Sequence, residues 1–328
     1  MSRLYTPAET LRRLRNRIGH PCTDDYEIRR VFYELFSDSK LKFAYAPYIF
    51  QHPLLHRATK HINENWFSDS DGSPLIDRMH CPAPPSDRDY TFPRSRCNLD
   101  NESMFYGASE MGVPIFEVQA KKGHYVVISS WAHKLATLTA NNRPSQPIEV
   151  ETIILGAEHI RRSLDVNSDE DKDLYDLLIN HEPYFSPSTD QEVRDVDAYI
   201  GQVFAEKGSN EVYRFTSTLS NILFNDFRVN KVAPINGLIY PSVESQVSGH
   251  NIVLNADFAH NSFKLWGADM YYVQEHDVHQ SLFGLRKIKS IKYDPAGKHE
   301  WVGVSPADAK KLYWLSPATK RVYAEPIS

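Results

Sequence analysis

Apolar positions recur along this chain in two rhythms, and the change from one to the other marks its organisation. Residues 6 to 18 place Leu11, Leu14 and Ile18 on one helical face. Thr6 can cap that helix, Pro7 suits its first turn and Glu9 closes a capping box. Residues 24 to 36 repeat the pattern, with Ile28, Val31, Phe32, Leu35 and Phe36 on a stripe, and a third helix is expected over residues 54 to 67. Residues 1–80 therefore read as a helical N-terminal region. From Cys81 to Pro93 the prolines Pro82, Pro84, Pro85 and Pro93 exclude a regular helix or a central strand, so 81–93 reads as a Pro-rich linker.

Beyond the linker the period shortens to two. Met104 to Tyr106, Ile115 to Gln119 and Tyr125 to Ser129 read as strands, and Ile153 and Ile154 begin another. The acidic run 165 to 176 reads as a solvated loop or a helix start. Ser188 or Thr189 caps a helix carried by Val193, Val196, Ile200, Val203 and Phe204 and ended by Gly208. A further helix is expected over 211 to 224, and strands near 237 to 240, 251 to 254, 270 to 273 and 286 to 293. Helices and strands mix without strict βαβ alternation, which predicts an α+β fold around a mixed central β-sheet.

Composition narrows the function classes. With 41% apolar and 24% charged residues in 328, the chain is an ordinary globular one. A net charge of −5 argues against a general nucleic-acid binder. Cys22, Cys81 and Cys97 form no C-x-x-C pair, so reduced thiols are expected rather than a zinc site or a disulfide framework. No apolar run approaches the ~18 residues of a membrane span, and the N-terminus lacks a hydrophobic signal core; the expected location is the cytoplasm. P-loop, G-x-G-x-x-G, H-E-x-x-H and G-x-S-x-G motifs are all missing. Glu275, His276 and His279 read as a surface loop rather than a metal site.

Two segments carry candidate chemistry. In residues 94 to 118, Arg96 is followed ten residues later by Tyr106 and the small pair Gly107–Ala108. Eleven residues further, Glu117 interrupts an apolar strand, between Phe116 and Val118. A carboxylate in such a place is either on the solvent face or has a task. In residues 237 to 254, Pro241 halts sheet pairing and leaves Ser242 at a strand end, either as a turn serine or where substrates are commonly met. Gly249 permits a turn before Asn251.

An arginine, an aromatic–Gly–Ala step, a strand glutamate and a later Pro–Ser step, in that order, resemble the RES domain, a family named for its Arg, Glu and Ser. The resemblance covers roughly residues 90 to 275 and makes 94–328 a RES-like catalytic domain with insertions. It implies an ADP-ribosyltransferase-like fold and a toxin of a bacterial toxin–antitoxin pair. The implied activity is NAD degradation by phosphorolysis or hydrolysis, or, in other members, transfer of ADP-ribose to a protein; a non-catalytic binding module is the third reading. The family arginine falls on Arg96 (with Arg94 as a neighbouring competitor), its tyrosine on Tyr106, its glutamate on Glu117 and its serine on Ser242.

Those residue types suit the chemistry. Glu117 would stabilise the oxocarbenium-like ribose as nicotinamide departs. Arg96 would grip the pyrophosphate or an incoming inorganic phosphate. Tyr106 would stack on the nicotinamide ring, Ser242 would fix the ribose or a phosphate oxygen through its hydroxyl, and Asn251 is a further expected substrate-binding residue. NAD is then the substrate, no metal is required, an antitoxin protein is a possible partner, and no membrane is involved. The N-terminal 80 residues have no counterpart in compact members of that family.

Overall fold

The computed structural model describes residues 9, 12–13, 16, 24–37, 48–80, 93–163, 191–226, 235–242, 250–277, 282–294, 296–315 and 322–326. The mixed α+β expectation holds. Among the described residues the helices bounded at both ends are α1 (Asp25–Phe36), α2 (Val113–Glu117), α3 (Ala157–Ser163), α4 (Gln191–Ala205), α5 (Asn210–Asn221) and α6 (Ala256–Ser262). The strands are β1 (Tyr48–His52), β2 (Leu55–His61), β3 (Met104–Gly107), β4 (Tyr125–His133), β5 (Ile148–Ile154), β6 (Gly237–Pro241) and β7 (His250–Asn255). They continue with β8 (Phe263–Asp277), β9 (Leu282–Ile291), β10 (Val302–Gly303), β11 (Lys311–Leu315) and β12 (Val322–Pro326).

There are two sheets rather than one. The first has the order β1-β5-β6-β7-β3, with β5 and β6 its parallel pair; the second has the order β12-β11-β9-β8-β4-β2 and is antiparallel throughout. The first sheet is covered on both faces. Leu238, Tyr240 and Val253 point into a core made with α1, α4 and α5, while Ile239, Ile252, Leu254 and Phe105 point into a core shared with the second sheet. A strand buried on both faces should be a continuous apolar run, and β6 (Gly-Leu-Ile-Tyr-Pro) is buried at all five positions. Ile115 and Phe116 of α2 pack on the far side of the second sheet, against Val126, Ile128 and Val273. The edges of the two sheets meet where His56 and Ala108 exchange backbone hydrogen bonds of 2.8 and 2.9 Å. A Cβ on Gly107 would stand 2.8 Å from the His56 carbonyl oxygen, which explains the glycine before that junction.

Two expected elements are corrected. Residues 54 to 67 do not form a helix: Leu55–His61 is β2, paired with β4 from Leu55↔Trp131 to His61↔Tyr125, followed by one 3-10 turn over Glu64–Phe67 that Asn63 caps. Leu55 and Ala58 are its only buried apolar positions, too few for a helical stripe. Residues 1–80 thus contribute a strand to each sheet and are not purely helical. Ile115 to Gln119 is not a strand either. Pro114 sits in the first turn of α2, Val113 to Phe116 are all buried, and Gln119 turns the chain with φ of 49°. Four consecutive buried residues cannot satisfy a half-buried strand's alternation.

Elsewhere the periodicities hold, with shifted ends. Helices α1, α4 and α5 lie where expected; α5 passes into a π-helical turn over Ile222–Asp226. Of the first helix, Glu9, Arg12, Arg13 and Asn16 are described and helical. The strands β3, β4, β6, β7 and β8 contain the expected runs, β8 reaching fifteen residues, whereas Ile153 and Ile154 end β5 rather than begin it and β9 stops at Ile291. Glu275 and His276 lie within β8, not in a loop, and His276 stacks on Phe283 with centroids 4.2 Å apart. His279, the linker apart from Pro93, the acidic run and the Ser188/Thr189 cap lie outside the described residues. Among the described residues no helix is long and apolar enough to cross a membrane.

Helix α4 is seated by two contacts. Asp197, fully buried, accepts from the backbone N–H groups of Gly156 (2.9 Å) and Glu158 (2.7 Å), capping the start of α3 from across the interface. One turn along, Gly201 meets Gly156 backbone to backbone; a Cβ on Gly201 would lie 2.7 Å from the Gly156 Cα and 2.5 Å from the His159 Cβ. Gly201→Ala is expected to destabilise the protein by about 3 kcal/mol, read from the midpoint of urea unfolding.

Candidate functional site

Residues from β2, β3, the turn of α2, β6, β7 and the loop after α4 close around a cavity of 280 Å³. Arg96, Tyr106, Glu117 and Asn251 all line it, so four of the five expected site residues converge although 155 positions separate the first from the last. Ser242, 7% exposed, donates its hydroxyl to Glu117 Oε1 at 2.5 Å and so holds the carboxylate from behind. The five are one constellation, four on the wall and one behind it.

The arginine-bearing loop is built around the Tyr106 hydroxyl. That oxygen donates to Asn98 Oδ1 (2.8 Å), accepts from the Cys97 backbone N–H (2.9 Å) and lies 2.7 Å from Ser95 Oγ. Ser95 Oγ also donates to Asn98 Oδ1, and Asn98 Nδ2 donates to the carbonyls of Pro93 (3.1 Å) and Leu99 (3.0 Å). Arg96 therefore leaves a loop whose residues on either side are tied to one phenol. Burial pushes the Tyr106 and Tyr240 phenols well above their usual range, so both stay protonated. The expected stacking face of Tyr106 lines the cavity, while its hydroxyl is committed to structure.

Arg96 is 7% exposed and its terminal nitrogens donate to the carbonyls of Phe204 (2.5 Å) and Glu206 (2.9 Å). These lie at the C-terminal end of α4, where orphan carbonyls and the helix dipole favour a cation. Its guanidinium also lies 5.8 Å from the Tyr213 ring centroid. Two of its five N–H groups are thus spent on the helix end. Arg94 takes a separate path. It grips Asp25 of α1 with two bonds of 2.9 and 2.6 Å, near Asp100, and lines a second groove of 680 Å³ beyond Tyr213. The first cavity belongs to Arg96.

Sequence reasoning missed Arg57, Gln119, Tyr213 and Tyr240 as cavity residues. Arg57, on β2, places a second guanidinium at the cavity and donates to the Tyr106 carbonyl at 3.1 Å. Reading 54 to 67 as a helix hid it; as a strand, the same residues bring Arg57 to the sheet edge beside β3. Tyr240 was visible beside Pro241 and Ser242. Tyr213 sits on an amphipathic helix that gives no chemical signal. No protein-family model matches this chain, and no curated protein or solved structure does.

The cavity's chemistry is that of fixed charge and aromatic walls. Cys97, fully buried beside it, has its thiol pushed up to about 12, chiefly by burial, and is no nucleophile near neutral pH. Among the described residues no group of three potential metal ligands assembles. The Asn251 side-chain nitrogen is buried without a hydrogen bond, a state that costs about 1–3 kcal/mol.

Two measurements check this account. Iodoacetamide at pH 8 is expected to leave the Cys97 peptide unmodified in native protein and to modify it after denaturation, as read by mass mapping. The Asp25–Arg94 pair gives the second. The hydrogen bond from Arg94 is the main cause holding the Asp25 carboxyl below its ordinary value of 3.8, against the opposing effect of burial. A folded value below the unfolded one means that the stabilisation is complete above pH 3.8 and fades as the pH falls below it. Because the Asp25 side chain is 41% exposed, solvent screens the pair and its worth is about 0.5 kcal/mol. Asp25→Asn should show that loss in urea unfolding at pH 6 and a smaller one at pH 3.

Proposed function

We propose that this protein is a RES-like enzyme that cleaves the nicotinamide–ribose bond of NAD, on an ADP-ribosyltransferase-like scaffold, passing the ribose to phosphate or water. The observation that supports it most is the Glu117–Ser242 hydrogen bond, made across 125 positions of sequence at the edge of a cavity that also holds Arg96 and Tyr106. A carboxylate oriented by a hydroxyl, under an aromatic wall, beside cations, is what departure of a pyridinium from a ribose needs.

In this reading the C1″–N bond breaks heterolytically. Its electron pair goes to the ring nitrogen, which leaves as neutral nicotinamide. The positive charge that develops on the ribose faces Glu117, whose orientation Ser242 fixes, so the stabilising charge needs no rearrangement as the reaction proceeds. Water or inorganic phosphate then attacks C1″ and, in the case of water, loses its proton. Arg57 and Arg96 supply the positive field for the pyrophosphate or for the attacking phosphate. A cavity of 280 Å³ matches the smallest ligand pockets, about 300 Å³, and suits the nicotinamide-ribosyl end of the dinucleotide, with the adenylate end lying outside. A growth-inhibiting role in the cytoplasm, restrained by an antitoxin protein, belongs to the same proposal.

Purified protein incubated with NAD, with and without phosphate, is expected to release nicotinamide together with ADP-ribose or its 1″-phosphate, identified by mass. Glu117→Ala should lower turnover by roughly two orders of magnitude or more; Ser242→Ala should lower it less. Wild-type turnover by the Glu117→Ala protein would overturn the mechanism. Label from tagged NAD on a macromolecule, with no small ribosyl product, would assign the same cavity to ADP-ribosyl transfer instead.

A further inference from the structure

The Asn251 side-chain amide stands out among the polar groups of the cavity. Asn251 is 4% exposed, lines the cavity, and its side-chain nitrogen is buried with no hydrogen-bond partner among the described residues. Its place in the sheet is fixed. On β7 it lies directly opposite Tyr240 of β6, and two positions before Val253, which pairs with Tyr106 of β3. Tyr240 packs with Val253 on the helix-facing side of the sheet, and Tyr106 packs against the same core. The Asn251 amide is therefore flanked by the two protonated phenols of the neighbouring strands, Tyr240 and Tyr106.

A buried amide left without partners is rare in folded proteins, and an explanation is required where one occurs. An amide has both a donor and an acceptor, and its planar edge is complementary to another primary amide: N–H to C=O in each direction. A flat heteroaromatic ring bearing a carboxamide fits such a slot. Its ring lies against the phenol rings and its carboxamide pairs with the Asn251 edge. A ring bearing a carboxylate supplies no N–H to the Asn251 oxygen and sets its own oxygen against it, a loss that has to outweigh the attraction of Arg57 and Arg96, which line the same cavity.

We propose that Asn251 reads the carboxamide of the leaving group, so that the enzyme selects nicotinamide dinucleotides over their nicotinic acid counterparts. The proposal rests on the reading of the cavity as a site of NAD cleavage. It assigns Asn251 to specificity and leaves bond breaking to Glu117.

The experiment compares wild type, Asn251→Ala and the near-isosteric Asn251→Leu in two assays. The first measures kcat/KM for NAD and for nicotinic acid adenine dinucleotide. The second measures binding of free nicotinamide and nicotinic acid by equilibrium dialysis, which does not require turnover. Wild type is expected to prefer the carboxamide in both assays by at least tenfold. Both variants should lose most of that preference through a raised KM for NAD, with kcat changed less than threefold. Both should also melt at or above the wild-type temperature, because removing an unpaired buried amide relieves the folded state, whereas loss of a structural amide would lower the melting temperature. If wild type cleaves NAD and the variants keep its preference, or melt several degrees lower with kcat and KM falling together, the assignment of Asn251 is overturned while NAD cleavage stands. If wild type neither cleaves NAD nor binds nicotinamide, the reading of the cavity fails and the assignment falls with it.

Discussion

The guanidinium of Arg96 ties the end of α4 to the loop before β3, where Phe204 also packs on Tyr240 of the first sheet. Its fork closes the C-terminal end of α4, and its backbone belongs to a loop strapped to Tyr106 on the edge strand of the first sheet. One charge therefore satisfies orphan helix carbonyls, fixes the distance between the helical layer and the sheet, and forms part of the cavity wall. The consequence for chemistry is direct. A cation anchored on its helix-facing side has little freedom left, so the field it casts into the cavity is preset, as an electrostatic site requires.

The rest of the helical layer serves that geometry. Helix α4 could not deliver its terminal carbonyls to Arg96 unless its middle were seated against the β5–α3 turn, and Asp197 and the Gly156–Gly201 contact do this. The sheet supplies the other half. Because β6 and β7 are buried on both faces, side chains alternate between the core shared with the second sheet and the side that carries the cavity: Ile239 and Ile252 face one way, Tyr240 and Asn251 the other.

Most of the elements were legible in the sequence because their burial is one-sided or complete. Helices α1, α4 and α5 present clean stripes, and β6 is uniformly apolar. The two misread segments share a physical cause. Both lie at the junction of the two sheets, where tertiary contacts outweigh local pattern. Residues 54 to 67 contain helix-tolerant residues, yet β2 is held by its pairing with β4 and by the His56–Ala108 bridge. Residues 115 to 119 look alternating, but Pro114 and the burial of Val113 to Phe116 fit one helical turn. The site was legible further than its surroundings. Arg96, Tyr106, Glu117 and Asn251 reach one cavity and Ser242 backs it, since short motifs report local chemistry even when the element beneath them is misassigned. What the motifs could not convey is that much of the Arg96 fork is spent on structure, because its hydrogen-bond partners lie 108 and 110 positions away and leave no local trace.

The first sheet's strand order has a consequence for how the protein comes to life. Its neighbours β5 and β6 run parallel and are separated by a crossover through α3, α4 and α5, and β3 reaches its place only by pairing with β7. Glu117 therefore leaves the ribosome some 125 residues before the hydroxyl that orients it. Contacts of such long sequence separation form late and slowly, since the loop must close before the pairing rewards it. A chain still in synthesis holds the carboxylate, the arginines and Tyr106, yet no assembled cavity. The cavity closes only when β7 takes its place between β6 and β3, so a chain that ends before β7 lacks both that wall and the partner on which β3 is held.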